Sequence, residues 1–259
     1  MKIVILAGGL GTRISEESVT RPKPLTEIGS KPIIWHIMKI YSSFGFKEFI
    51  ICCGYKGYLI KEYFANYSLH TTDVTVDLKS SKIIKHKKNT EDWKITMIDT
   101  GEYSQTGERI RRIKNYINKD ETFCLTYGDG LSSINIKQLI KSHQSSKKIA
   151  TVLAVKPEGR WGSLDINSDN SVVSFLEKPK GDNAWVNGGF FVLNYKIFEY
   201  IKGINPIWER EPMNMLAKNN QLYAHKFDGF WHAMDTLRDK NYLEDLWTNK
   251  KAPWKSWDE

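Results

Sequence analysis

The sequence predicts an α/β fold: a mixed, mostly parallel sheet with helices on both faces and a β-rich extension in the second half. Three observations lead there. Short β-branched and aliphatic runs alternate with helix-period segments as far as Val155. Those runs are apolar throughout, the mark of strands buried on both faces. The chain has 259 residues, 41% hydrophobic and 26% charged, enough for one large domain with a sizeable core. The alternation is Rossmann-like, and in such sheets ligands bind beyond the carboxyl ends of the strands. The loops at 8–13, 99–109 and 127–130 are therefore where a ligand is expected.

The elements follow in order. Lys2–Leu6 reads as a buried strand. Pro32–Phe44 reads as a helix, with proline in its first turn, Ile33, Ile37, Ile40 and Phe44 in step, and Gly45 after its end. Phe49–Cys53 is a strand and Tyr58–Tyr67 a helix; Lys94–Ile98 is a strand and Glu108–Ile117 a basic amphipathic helix. Phe123–Tyr127 is a strand ending in Gly-Asp-Gly, followed by a helix at Ile136–His143 and a strand at Ile149–Val155. The second half is β-rich at Trp161–Ile166, Ser171–Leu176, Ala184–Leu193 and Leu222–Lys226. Helices are expected at Tyr195–Ile201, Pro212–Asn219 and Thr236–Trp247. No repeat, low-complexity tract or linker interrupts the pattern, so residues 1–259 are expected to form a single domain.

Charge and cysteine narrow the classes. The balance is +8, which favours anionic partners. The lysines are scattered, with one cluster at Lys79–Lys88 that reads as a solvated hairpin or loop. Basic and aromatic residues are not grouped on one face, which argues against a nucleic-acid-binding module. Cys52, Cys53 and Cys124 lie in apolar runs, and an odd count of such thiols reads as small core residues. No apolar run approaches the roughly 18 residues of a membrane span. Met1–Leu6 stops at Gly8 and Gly9 and does not read as a signal peptide. A cytoplasmic protein is expected.

Chemistry concentrates after the first strand, at Gly8-Gly9-Leu10-Gly11-Thr12-Arg13. Glycines let backbone N–H groups approach phosphate oxygens. The loop is neither a P-loop nor a dinucleotide fingerprint: no Lys-Ser/Thr follows, and Ile14 takes the place of the third glycine. Arg13 and the proline-flanked Lys23 stand beside it. Arginine offers a bidentate fork and lysine a movable point charge, so the pattern points to a polyphosphate.

Leu6-Ala7-Gly8-Gly9-Leu10-Gly11-Thr12-Arg13 with Pro22-Lys23-Pro24-Leu25 resembles the signature of the sugar-1-phosphate nucleotidyltransferase family. Further segments, Trp35–Lys39, Ile50–Tyr58, Tyr127-Gly128-Asp129-Gly130 and Met234–Lys240, resemble the members that use CTP and glucose 1-phosphate. Similar segments run from residue 1 to Lys255.

The resemblance implies catalytic roles for Arg13 and Lys23. It implies a nucleotide site of Leu6, Ala7, Gly8, Gly9, Leu10, Gly11, Thr12, Arg13, Lys23, Ser104, Thr106, Arg109, Gly128 and Asp129. It implies Mg²⁺ on Asp129 and Asp235, and sugar-phosphate contacts from Gly162, Glu177, Lys178, Asn187 and Gly188. Residues 1–130 would then mainly bind nucleotide, and residues 131–259 the sugar phosphate. It further implies a homo-oligomer, a hexamer in the family, serving nucleotide-sugar supply for surface polysaccharide such as lipopolysaccharide O-antigen.

Several residues keep a plainer reading beside that one. Asp129 suits a turn, and Asp235 suits the N-cap of the last helix. Glu177-Lys178 suits a surface ion pair. Asn187-Gly188-Gly189 interrupts an apolar strand, where glycine suggests close backbone approach, a sugar ring among the candidates. Arg109 supports phosphate or base, while Arg111 and Arg112 do the same or face solvent. Glu108 stands where a small residue is expected in the closest relatives, and Tyr103 is bulkier than expected. His36 reads as structural. Trp161, Trp185, Trp231 and Tyr127 read as core or interface residues.

The expected reaction is in-line attack of the sugar-phosphate oxygen on the α-phosphorus, with pyrophosphate leaving. The nucleophile is already anionic, so positioning and charge neutralisation carry the chemistry. The alternatives are the same chemistry with another sugar phosphate or with UTP or dTTP, and a non-catalytic nucleotide-binding regulator.

Overall fold

A computed structural model describes residues 1–11, 21–86, 90–157, 163–168, 170–176 and 184–257. Strand β1 (Ile3–Ala7) is followed, after the glycine loop, by a 3₁₀ turn at Lys23–Leu25 and the short strands β2 (Glu27–Ile28) and β3 (Lys31–Pro32). Helix α1 (Ile33–Ser43) forms as the sequence predicts, with Pro32 at the N-cap position, one residue before the helix rather than in its first turn. Then come β4 (Glu48–Cys53), α2 (Gly57–Ala65) and α3 (Tyr67–Thr71), a single expected helix that breaks at Asn66. Strands β5 (Val74–Asp77) and β6 (Lys82–Lys85) form an exposed hairpin whose turn carries Lys79, in line with the solvated reading of that cluster.

Strand β7 (Lys94–Asp99) leads to helix α4 (Thr106–Arg112), which gives way to a 3₁₀ turn at Lys114–Tyr116. Strands β8 (Thr122–Tyr127) and β9 (Gly130–Ser132), helix α5 (Ile136–Ser146) and strand β10 (Ala150–Val155) follow. Among the described residues, strands β11 (Ser163–Ile166) and β12 (Val172–Leu176) pair only with each other, so this part of the expected extension forms a two-stranded hairpin and not part of the central sheet. Strand β13 (Val186–Asn194) precedes a 3₁₀ helix at Tyr195–Glu199, helix α6 (Glu211–Lys218), strands β14 (Leu222–Phe227) and β15 (Trp231–Ala233), and helix α7 (Leu237–Thr248).

Seven strands form the central sheet in the order β14-β10-β13-β8-β1-β4-β7. β13 runs antiparallel to both its neighbours, and the other pairings are parallel. The sheet is thus mixed and mostly parallel. Strand alternation sends Ile3, Ile5 and Ala7 into one core with α1, α5 and α7, and Val4 and Leu6 into the other with α4 and α6. The cysteine pair splits the same way, Cys53 to the first core and Cys52 to the second. All three thiols are free and buried. No helix of the described residues is long and apolar enough to cross a membrane.

The topology fixes the site. From β1 the chain first steps outward to β4 and β7, then returns to place β8 on the other side of β1. The crevice at such a switch point opens beyond the carboxyl ends of β1 and β8. Those ends carry the glycine loop and the Gly128-Asp129 turn.

Candidate active site

A cavity of about 600 Å³ lies at the switch point. The described residues of the sequence-derived set converge on it: Leu6, Ala7, Gly8, Gly9, Gly11, Lys23, Ser104, Thr106, Arg109, Gly128, Asp129, Asn187 and Asp235 all line it. Leu10 and Gly188 do not. Leu10 points to solvent. Thr12, Arg13, Gly162, Glu177 and Lys178 lie outside the described residues, as does Trp161.

The centre of the site is an ionic triad. The Lys23 amine donates to Asp129 Oδ2 at 2.5 Å and to Asp235 Oδ1 at 2.8 Å. Three local structures bring these residues together. The 3₁₀ turn that opens at Lys23 has Pro22 as its N-cap, with Pro24 and Leu25 buried, so the lysine's backbone is fixed from both sides. Asp129 follows β8. Asp235 is delivered by β15, which pairs with β9 so that Ala233 faces Gly130, and the Met234 N–H donates to the Asp129 carbonyl.

The N-cap of α7 is Thr236, in a capping box with Asp239. The helix therefore does not use Asp235 as its cap, and its carboxylate meets Lys23 instead. Burial lowers the Lys23 pKa, but the charges and hydrogen bonds of Asp129 and Asp235 outweigh it, and the net shift is upward. The side chains keep 13% to 29% exposure, so all three meet the water of the cleft.

Among the described lining residues, the carboxylates of Asp129, Asp235 and Glu209 outnumber the cations Lys23 and Arg109. A triphosphate brings about four more negative charges. Its binding here calls for added cations. Two carboxylates converging within hydrogen-bond reach of one amine are also the hard oxygen set that Mg²⁺ takes when phosphate oxygens and water complete its octahedron. The residues present fit that ion.

Arg109 has a different role from the one its charge suggests. Its guanidinium is buried and donates to the carbonyls of Cys53, Gly8, Gly101 and Glu102 and to Thr100 Oγ1. It clamps the glycine loop to the ends of β4 and β7, and its terminal nitrogens are engaged by protein oxygens. A Cβ on Gly8 would fall 2.2 Å from Arg109 Nη1, so the glycine there makes room for the clamp. Gly9, with open space around it, faces the cavity.

Arg111 donates to the Gly203 carbonyl, and Arg111 and Arg112 both pair with the buried Glu108. Glu108 is thus absorbed by neighbouring arginines, and Tyr103 projects into solvent. Neither intrudes on the cavity.

On the opposite wall, Asn187 Nδ2 donates to Tyr127 Oη at 3.2 Å while its Oδ1 accepts from Gly189 N. What crowds Gly188 is the Leu153 carbonyl and Val155. The close approach on that side of Gly188 comes from β10. Its carbonyl accepts from Trp231 Nε1 at 2.7 Å. Trp231 and Tyr127, read from the sequence as core or interface residues, line the cavity as well as packing in the fold. Sequence reasoning missed Glu209, Gln105, Pro24 and Ala233 in the lining.

The nucleotidyl transferase family matches residues 2–244 of this chain. The chain belongs to that family. It is 55% identical over 258 residues to the glucose-1-phosphate cytidylyltransferase of Salmonella typhimurium, covering all of both chains. It is 44% identical to the probable glucose-1-phosphate cytidylyltransferase of Bacillus subtilis, over 99% of this chain and 100% of that one. Among solved structures, HddC from Yersinia pseudotuberculosis matches with a TM-score of 0.68 at 25% identity, over 95% of this chain and 99% of that one. A UDP-glucose pyrophosphorylase matches at 0.68 and 19% identity, over 96% and 98%, a likeness of fold. As a nucleotidyltransferase, the chain places its ionic triad where the fold binds ligands.

Proposed function

We propose that this nucleotidyltransferase transfers the cytidylyl group of CTP to glucose 1-phosphate, giving CDP-glucose and pyrophosphate. The observation that carries the chemistry is the Lys23 amine held by Asp129 and Asp235 at the switch point. Full-length similarity to the Salmonella cytidylyltransferase supports the substrate pair.

In the reaction an oxygen of glucose 1-phosphate forms a bond to the α-phosphorus of CTP, and the bond from that phosphorus to the bridging oxygen of the β-phosphate breaks. No proton need be removed from an anionic nucleophile, so the protein positions and neutralises. The glycine loop cradles the nucleotide, with Arg109 holding its shape from behind. Lys23 moves from its carboxylates to the transferring phosphoryl group. Arg13 holds the leaving pyrophosphate, Glu177 and Lys178 hold the sugar phosphate, and Asn187 offers its remaining amide hydrogen to a sugar hydroxyl. Asp129 and Asp235 would hold Mg²⁺, which when bound supplies charge neutralisation on phosphate oxygens. Residues 1–130 mainly serve the nucleotide and residues 131–259 the sugar phosphate.

Pyrophosphate release across a panel of CTP, UTP, dTTP, ATP and GTP against glucose, galactose and mannose 1-phosphates tests the assignment. The highest kcat/KM is expected for CTP with glucose 1-phosphate. A higher value for another pair replaces the assignment with that pair.

A further inference from the structure

Glu209 has no part in the mechanism above, yet it lines the cavity and is bonded to both Thr106 and Tyr127. It sits just before α6. Segment 203–209 is stitched along the nucleotide loop a hundred residues earlier. Gln105 N donates to Asn205 Oδ1, Asn205 Nδ2 to the Tyr103 carbonyl, Glu108 N to the Pro206 carbonyl, and Trp208 N to Thr106 Oγ1. The fully buried Trp208 anchors this segment in the core beneath α4 and α6.

From that fixed backing the Glu209 carboxylate reaches both ways. Thr106 Oγ1 donates to its Oε2 at 2.6 Å, and Tyr127 Oη donates to its Oε1 at 2.6 Å. Tyr127 Oη in turn accepts from Asn187 Nδ2. A continuous relay, Thr106–Glu209–Tyr127–Asn187, runs along the cavity lining from the N-terminus of α4 to β13. Every member lines the cavity.

The polarity of the relay is set by chemistry. An ionised carboxylate only accepts, so both hydroxyl hydrogens point at Glu209. The lone pairs of Tyr127 are left facing Asn187, and this fixes which end of the Asn187 amide is the donor. Glu209 and Asn187 are exposed to the solvent of the cleft. A ligand on either side displaces water from the relay, and charge-assisted hydrogen bonds strengthen as local water is lost.

We infer that Glu209 is a positioning residue that couples the two substrate pockets through this relay, so that nucleotide bound at the loop tightens the sugar phosphate beside Asn187 and the reverse. This rests on the two-substrate reading above. Coupling must be reciprocal, each ligand changing the other's affinity by the same factor.

The test is calorimetric binding in Mg²⁺ buffer of cytidine 5′-(α,β-methylene)triphosphate, in which the bond that breaks is a carbon bridge, with and without saturating glucose 1-phosphate. In the parent, the second ligand is expected to tighten the first by about 5-fold or more. Glu209→Gln keeps the size but turns an NH₂ toward one of the hydroxyls. It should bring that factor close to unity, with the melting temperature and each ligand's separate affinity changing far less. Thr106→Ser keeps the hydroxyl and should retain the coupling, whereas Thr106→Ala should lose it and serves if Glu209→Gln does not fold. A folded Glu209→Gln or Thr106→Ala protein with parental coupling overturns the inference, as does a parent that binds the two ligands independently. Turnover of the parent is scored first, so a wrong substrate pair is seen in that assay, and the coupling is then measured with the pair that turns over.

Discussion

Helix α7 has a polar centre at each end, and the two are opposite in kind. Before its first turn Asp235 joins Asp129 and Lys23 in a cleft open to water, where the two carboxylates both accept from the lysine amine. At its other end Trp247, in the last turn, and Trp254, beyond it, close over His36, which is fully buried. There His36 Nε2 meets the Ile28 carbonyl at 2.8 Å and Nδ1 meets the Trp254 indole N–H at 3.4 Å. A carbonyl only accepts and an indole only donates, so this ring fits only as the neutral tautomer protonated on Nε2. Burial pushes its pKa down to about 4.

The difference teaches how one helix serves two ends. Charge is kept where an anionic ligand must be met, and is excluded where the helix must be held. Changes at the first centre should therefore cost turnover, and changes at the second should cost stability.

The largest expected effect is metal removal. Excess chelator should abolish pyrophosphate release and added Mg²⁺ should restore it, while the melting temperature moves little. Persistent turnover in chelator would remove the metal role from Asp129 and Asp235.

The aromatic end should behave inversely. Trp254→Ala removes a wholly buried side chain and should cost roughly 3–5 kcal/mol in denaturant unfolding, with kcat retained at temperatures where the variant is folded. A drop in kcat at full folding would erase the division between the two ends.

The smallest effect sharpens the contrast by pH. The folded His36 pKa of about 4 lies below the ordinary value of 6.5. Between those values the unfolded chain takes up a proton that the folded chain refuses. Stability is complete above about pH 6.5, falls as pH drops toward 4, and loses about 3 kcal/mol in all from this group. Chemical unfolding of the parent and of His36→Gln across that range checks it, the variant being expected to show the shallower slope.

Much of this was legible in the sequence. The glycine loop and Gly-Asp-Gly each sit at a strand end that apolar runs and turn residues mark locally, and the fold gathers them because parallel strands share a carboxyl edge; Lys23 was marked by its flanking prolines, which hold it in a 3₁₀ turn. Asp235 was legible only as one of two readings, since its delivery depends on the three-residue β9–β15 pairing, too short to leave a pattern. Arg109 was legible as a cation but not as a clamp, because the carbonyls that engage it come from three separate strand ends. Glu209 gave no local signal, lying 82 residues from Tyr127 and 103 from Thr106. Its placement follows from the anchoring of Trp208 in the core.

The most direct measurement is steady-state pyrophosphate release by Lys23→Ala beside the parent, with melting temperatures recorded on the same samples. Loss of a transition-state donor of this kind costs about 3–4 kcal/mol, so kcat should fall by a factor of hundreds or more in a protein that stays folded. A folded variant turning over within a few-fold of the parent would contradict the placing of the reaction at this amine.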